Sequence, residues 1–243
     1  GMKVLVLSDI HGNYTALEAI LKEAGKVDAV WCLGDLLGYG PDPNDVVKKI
    51  RSLKNCTCLL GNHDAAVLGR MDLEAFNRDA RLSVEWNQRV LKPEHIDFMK
   101  TLPEKTVIEH VTLAHGSPRN PIWEYILDWQ IAMYNFEFFE TDYCFVGHTH
   151  IPVVYEMTED EANYHLEILN PSSPVELKPR AIVNPGSVGQ PRDRDSRAAY
   201  AFFDTSTNIW TPQRVLYDIE GVKTRIRTAG LPDRNAVRLD DGW

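Results

Sequence analysis

The sequence predicts an α/β fold, and three observations carry that expectation. Between residues 3 and 60, three short apolar runs alternate with two stretches of helical periodicity. Each run stops at a loop rich in Gly, Asp, Asn or His. Beyond about residue 150 the apolar period changes to two. The first pattern is β-α-β-α-β, which right-handed crossovers assemble into a mainly parallel sheet. The last describes short antiparallel strands.

The first strand is expected at 3–8. The start has the outline of a signal peptide, but its apolar run is too short and lacks a small-residue cleavage site. Gly1 ahead of Met2 reads as an expression remnant. After the loop Asp9-Ile10-His11-Gly12-Asn13, a helix over 14–24 places Leu17, Ile20, Leu21 and Ala24 at helical spacing. Strand two, 28–33, contains Val30-Trp31-Cys32-Leu33 and stops at Gly34-Asp35, where open α/β sheets usually place their ligands. Turn formers fill 38–43, and Asn44 is expected to cap a helix to about residue 52. Strand three, 56–60, runs into Gly61-Asn62-His63-Asp64.

From 65 to about 101 the chain reads as helical, with Leu82, Trp86, Val90, Ile96 and Met99 facing inward. Strands at 105–109 and 111–114 end in His115-Gly116-Ser117-Pro118, and 143–146 ends in Gly147-His148-Thr149-His150. Residues two apart in a strand share a face, so both imidazoles are expected to meet one cavity. Shorter strands follow near 152–157, 164–169, 180–183, 199–204 and 209–216. Asp218 caps a last helix to about 228, and the tail 230–243 shows no clear period. His95, His110 and His165 fall outside every polar block and read as surface or cap residues.

The bulk numbers exclude several classes. A hydrophobic share of 44% supports a proper core and argues against disorder. No apolar run approaches the roughly 18 residues of a membrane-spanning helix. A net charge of −9 argues against an extended nucleic-acid surface or a polybasic membrane patch. It leaves phosphate-bearing substrates open, because bound divalent ions reverse a local field. The four cysteines form no C-x-x-C and read as reduced core thiols of a cytoplasmic protein.

Five blocks now stand in order: Asp9-x-His11, Gly34-Asp35, Gly61-Asn62-His63-Asp64, His115-Gly116 and Gly147-His148-x-His150. Mixed carboxylate, imidazole and amide donors suit Mn, Fe, Zn or Co better than an oxygen-only or thiolate site. In this order and approximate spacing, over residues 3–190, the chain resembles the calcineurin-like metallophosphoesterases. The local look is nearest to small bacterial phosphodiesterases and dinucleoside polyphosphate hydrolases. The resemblance implies a four-layer αββα fold, two packed mixed sheets flanked by helices, in a single domain over 1–243. Cap insertions are expected at about 65–103 and 117–140.

The resemblance also implies a site. Asp35 would bridge two divalent ions, manganese first and Fe, Zn, Co or Ni as alternatives. Asp9, His11 and His150 would complete one metal site, and Asn62, His115 and His148 the other. A metal-bridging hydroxide would attack phosphorus in line, His63 would protonate the leaving oxygen, and Asp64 would orient His63. Asn13, Tyr39, Arg119, Trp123 and Arg192 are candidate substrate contacts, with Tyr125 a further aromatic wall. Asn184 or Ser187 would support the metal-bound loop. The expected substrate is a phosphodiester or a nucleotide phosphoanhydride, as a small molecule, and an oligomer is possible. The rivals are a phosphomonoesterase or protein phosphatase, and a non-catalytic scaffold. The protein-phosphatase branch carries an arginine shortly after its Gly-Asp, where this chain has Leu36-Leu37-Gly38-Tyr39.

Overall fold

A computed structural model describes residues 1–157, 164–167 and 171–243, with backbone alone for 164–167. The expected end of a strand at 168–169 and the His165 side chain lie outside the described residues. In chain order the first half comprises β1 (Lys3–Leu7), α1 (Tyr14–Ala24), β2 (Ala29–Cys32), α2 (Pro43–Ser52), β3 (Cys56–Cys58), α3 (Asn62–Val67), α4 (Arg78–Val90) and α5 (Pro93–Met99). Then come β4 (Lys105–Ile108), β5 (Val111–Ala114), α6 (Trp129–Asn135), β6 (Tyr143–Phe145), β7 (Val153–Met157) and β8 (Tyr164–Glu167). The last part holds β9 (Val175–Glu176), β10 (Ala181–Asn184), β11 (Ala198–Asp204), β12 (Ile209–Val215), α7 (Ile219–Thr228) and α8 (Asp233–Asp241).

The strands form two mixed six-stranded sheets, ordered β3-β2-β1-β11-β12-β9 and β4-β5-β6-β10-β7-β8. Within them β1, β2 and β3 run parallel, as do β5, β6 and β10. Strand alternation builds the layers. Val4 and Val6 face the second sheet, where Trp31, Phe145, Phe203 and Trp210 fill the space between sheets. Leu5 and Leu7 face the other way, onto Leu17 and Ile20 of α1 and Val46, Val47 and Ile50 of α2. On the far side of the second sheet, Cys144, Val146 and Ile182 meet Ala132 of α6 and Phe136 just after it. Both faces of each sheet are thus covered, which is why the parallel strands read as unbroken apolar runs.

Four expectations need correcting. Asp42 precedes Pro43 at the start of α2, while the Asn44 amide donates to Val90 O and accepts from Lys92 N, bracing the α4–α5 joint. The buried face of α4 is Ala80, Ser83, Val84 and Asn87; Trp86 packs only partly, against the α7–α8 cluster. The tail is not aperiodic, because α8 buries Asn235, Ala236 and Leu239. Its signals were Pro232 before an acidic first turn and Gly242, left-handed at φ 66°, at its end. His95 is buried, with Nδ1 against Arg51, rather than a surface residue. Among the described residues, no helix is long and apolar enough to cross a membrane.

Candidate metal centre

The five blocks leave the C-terminal ends of β1, β2, β3, β5 and β6 and meet at one rim shared by both sheets. Close approach of their backbones depends on small residues. A Cβ on Gly61 would stand 2.1 Å from Asp35 Oδ1, and one on Gly147 would stand 2.0 Å from Ser8 Oγ. His148 and His150 lie beyond β6 with left-handed backbones, φ 73° and 64°, so strand alternation is not what aims them. Asp9, His11, Asp35 and Tyr39 share that conformation, at φ 55°, 46°, 60° and 59°. Such backbones cost of order 1–3 kcal/mol each and tend to collect at functional sites.

Asp9, His11, Asp35, Asn62, His115, His148 and His150 are all buried and converge. Asp9 Oδ2 accepts from Ser8 Oγ at 2.6 Å and His148 N at 2.9 Å. Asp9 Oδ1 has no hydrogen-bond donor and faces His150 Nε2 at 3.2 Å and His11 Nε2 at 3.6 Å. Asp35 Oδ1 accepts from His63 N at 3.0 Å. Its Oδ2 lies 3.2 Å from His115 Nε2 and 3.5 Å from His11 Nε2. Asn62 Oδ1 lies 3.1 Å from His115 Nε2. Two ligand groups result, Asp9–His11–His150 and Asp35–His115–His148, with Asp35 touching both sides. A third grouping, His11–Asp35–His63, shares two members with these and defines no separate position.

Backbone carbonyls fix which ring nitrogens are free. Nδ1 donates to Leu37 O from His11, to Leu33 O from His115 and to Gln190 O from His150, at 2.8, 2.8 and 2.6 Å. His11 and His150 then present a bare Nε2 to the centre, and His115 would do so once a cation replaced the proton that Asp35 and Asp9 hold on it. His148 is turned the other way: its Nε2 donates to Trp123 O at 3.1 Å, and Nδ1 is left for the centre. Its ring lies flat on Tyr125, centroids 3.6 Å apart. The consequence is an assembly of acceptors facing acceptors, with the Nε2 atoms of His11 and His150 only 3.2 Å apart. A divalent cation resolves that repulsion, and the donor set fits one.

The electrostatics state the same deficit. Burial alone would raise Asp9, but His150, His11 and His115 hold it well below the usual carboxylate range. Burial opposes a charge on His115, yet Asp35 and Asp9 pull its pKa up to about 10. Burial lowers His148 to about 3, helped by His115, and His150 to about 4, helped by Arg192. The carboxylates demand a positive charge here that the imidazoles cannot all supply.

Around this centre the remaining candidates separate. The His63 ring packs between His11, Tyr39 and Phe76, with Nδ1 unpartnered against Gly38. Burial lowers its pKa well below the ordinary imidazole value. Asp64 does not orient it. Its carboxylate accepts backbone N–H from Asp35, Leu36, Leu37 and Gly61, and so ties two site loops together. Burial and Asp35 raise it to about 7.

Asn13 is not a free contact either: it caps α1 through Ala16 N and donates to Gly189 O and Tyr217 Oη. Arg119 is engaged by Glu124 and lies over Tyr134 and Phe138. Arg192 donates to Gln190 Oε1 and lies over the Tyr39 ring at 5.9 Å. Trp123 is half-buried against Phe76 and gives its carbonyl to His148. Asn184 and Ser187 both brace the rim, Asn184 through Gly147 O and Thr149 Oγ1, Ser187 through Asp9 O. Glu124, Gln190, Tyr217 and Asn235 have second-tier roles that no sequence signal singled out; Asn235 holds Tyr39 O at 3.0 Å.

Comparison with known proteins places this geometry in context. The calcineurin-like phosphoesterase superfamily domain matches residues 2–208. A protein of Methanocaldococcus jannaschii without an assigned activity is 36% identical over 244 residues, covering 97% of this chain and 96% of the relative. The crystal structure of a metallophosphoesterase from Sphaerobacter thermophilus superposes with a TM-score of 0.91 at 43% identity, over the whole of both chains. A symmetrical bis(5'-nucleosyl)-tetraphosphatase of Erwinia tasmaniensis is 39% identical over 71 residues, which is 28% of this chain and 26% of that enzyme.

Proposed function

Because this chain belongs to the calcineurin-like phosphoesterase superfamily, we propose that it is a dinuclear-metal-dependent hydrolase of phosphodiesters or of nucleotide phosphoanhydrides. The observation that carries the reading is Asp35 Oδ2, poised between His11 on one side and His115 on the other. Asp9, His11 and His150 would hold one ion, Asn62, His115 and His148 the second, and Asp35 both. Two divalent ions, manganese by preference, would supply Lewis acidity toward phosphoryl oxygens and a water of lowered pKa when bound.

The chain's own residues do the rest. Asp64 holds the Asp35 and Asn62 loops in register, so the ligands are placed before substrate arrives. Tyr39, Phe76 and Trp123 screen the His11–His63 side from water. Arg192, without a carboxylate partner among the described residues, is available to phosphoryl oxygens. His63 would deliver the proton to the leaving oxygen, a contribution worth ~10²–10⁴-fold. Burial keeps it neutral at rest, so its charge in that role comes with the anionic substrate. Four free cysteines support a reducing, cytoplasmic setting.

The test is hydrolysis of bis-p-nitrophenyl phosphate and p-nitrophenyl phosphate, side by side, on chelator-stripped protein before and after Mn²⁺ is restored. We expect metal to restore a diester activity at least tenfold above the monoester activity. A monoester preference would move the assignment to the phosphatase reading. Two bound ions with no activity on either ester, and none on diadenosine tetraphosphate as a phosphoanhydride, would overturn the proposal.

A further inference from the structure

The segment without sequence period brings two guanidinium groups toward the metal rim. Arg234 and Arg238 stand one turn apart on α8, the spacing that sets like charges side by side. They lie 4.7 and 5.4 Å from the Trp243 ring centroid, and a ring holds a cation without neutralising it. Arg238 also donates from Nε to Trp243 O at 2.7 Å and approaches the Tyr39 ring at 6.0 Å. Arg192 lies against the same ring. Tyr39 in turn stands 4.8 Å from His63 and 4.9 Å from His11, between centroids. A line of positive charge therefore runs outward from the metal centre.

Arg192, Arg234 and Arg238 share two aromatic rings on one side of the rim, Tyr39 and Trp243, and among the described residues none of the three has a carboxylate side chain as partner. Arg119, Arg197, Arg214, Arg225 and Arg227 each meet a carboxylate. Arg192, Arg234 and Arg238 meet no Asp or Glu among the described residues, Arg238 bonding instead to the main-chain oxygen of Trp243, in a chain whose net charge is −9. Burial, together with Arg192 and Arg234, lowers Arg238 to about 10 against the opposing pull of Tyr39 and Asp79. Arg234 and Arg238 also line an open cleft of about 440 Å³, completed by Asn77 and by Arg78 and Asp79, which pair with each other. That volume is in the range of small-molecule sites.

We propose that Arg192, Arg234 and Arg238 form an anion subsite for phosphates that extend beyond the scissile phosphoryl group. The substrate class is then a compound with several phosphates in a row, such as a nucleoside or dinucleoside polyphosphate. This rests on the phosphoesterase reading above. The line from Tyr39 to the cleft sets the direction of the phosphate chain: scissile group at the metals, distal phosphates toward α8.

The experiment is calorimetric titration of the chelator-treated full chain with diadenosine tetraphosphate and diadenosine diphosphate, which share their ends and differ in charge. The tetraphosphate is expected to bind at least tenfold tighter at low salt, with the gap narrowing as salt is added. Arg234→Ala and Arg238→Ala should reduce the gap below threefold, and Arg234→Lys should keep most of it. Arg234 is exposed and lies over the Trp243 ring without the hydrogen bond that Arg238 donates to Trp243 O, so its variants disturb the fold less. Equal affinities in the unaltered protein, or a gap that both alanine variants preserve, would overturn the subsite. Hydrolysis of bis-p-nitrophenyl phosphate or of diadenosine tetraphosphate by the Mn²⁺-loaded protein separates the two ideas. A gap without hydrolysis overturns the phosphoesterase reading alone, and hydrolysis without a gap overturns the subsite alone.

Discussion

Four backbone N–H groups converge on the Asp64 carboxylate at 2.8–3.4 Å, whereas Asp35 gives one oxygen to His63 N and turns the other to His11 and His115. Two neighbouring buried acids thus face different replacements. In Asp64→Asn a single amide oxygen has to serve four donors, and an NH₂ group is pressed against backbone N–H. Stability should fall by roughly 3 kcal/mol, read from urea unfolding. Asp35→Asn should unfold at nearly the same urea concentration while losing turnover and at least one bound ion, read by elemental analysis. Retention of full loading and activity would remove Asp35 from the shared position. The difference between the two acids marks the limit of sequence reasoning at this scale. Asp9, His11, Asp35 and the later histidines were legible because each falls in the short loop that follows an apolar strand. The duty of Asp64 was not, since its donors at Leu36 and Leu37 arrive from another loop.

At the level of elements, the stretch from Ser117 to α6 shows how one carboxylate organises a segment. Glu124 accepts from Ser117 Oγ, Arg119 and Asn135 Nδ2. Burial alone would raise its pKa, but these donors hold it below the ordinary value of 4.5. A depressed folded-state pKa means stability that is fully present above 4.5 and is lost as pH falls through the folded value. Residues 117–135 should therefore open first in mild acid. Hydrogen exchange at pH 6 and pH 4, corrected for intrinsic rates, would show it, and Glu124→Gln should remove the pH dependence. A uniform response along the chain would refute this.

Elements with a strong period were legible: α1, and strands β1, β2, β5 and β11, stand within a residue or so of expectation. By contrast α8 was missed, because two arginines and three aspartates within Asp233–Asp241 hide a narrow apolar stripe of Ala236 and Leu239. The inner face of α4 was misplaced for a related reason. Its buried positions include Ser83 and Asn87, whose side chains bond to backbone carbonyls rather than to apolar neighbours.

For the molecule as a whole, the candidate ligands are divided between the sheets. Asp9, His11, Asp35 and Asn62 come from loops of the first, and His115, His148 and His150 from loops of the second. Ions bound there would fasten the two layers at their shared rim. At a free metal concentration 100 times the dissociation constant, one such ion adds about 2.7 kcal/mol to stability. Chelation should lower the melting temperature, and restored Mn²⁺ should raise it again, as followed by calorimetry. An unchanged melting temperature would show that the ions are not held where the two sheets meet. The pairing of sheets was foreseen only through resemblance. Periodicity marks a strand as buried on both faces, but it does not say which sheet covers it.

Strand β1 takes β2 on one side and, in antiparallel register, β11 on the other, with Lys3 opposite Asp204 and Val6 opposite Ala201. On the ribosome, the segment around Val4-Leu5-Val6-Leu7 therefore waits with an open apolar edge until nearly 200 further residues have emerged. The candidate metal ligands, the last of them His150, are all synthesised during that wait, on a sheet that does not yet have its centre. The rim where the two sheets meet therefore gains its central strand pair only after every candidate ligand has been made.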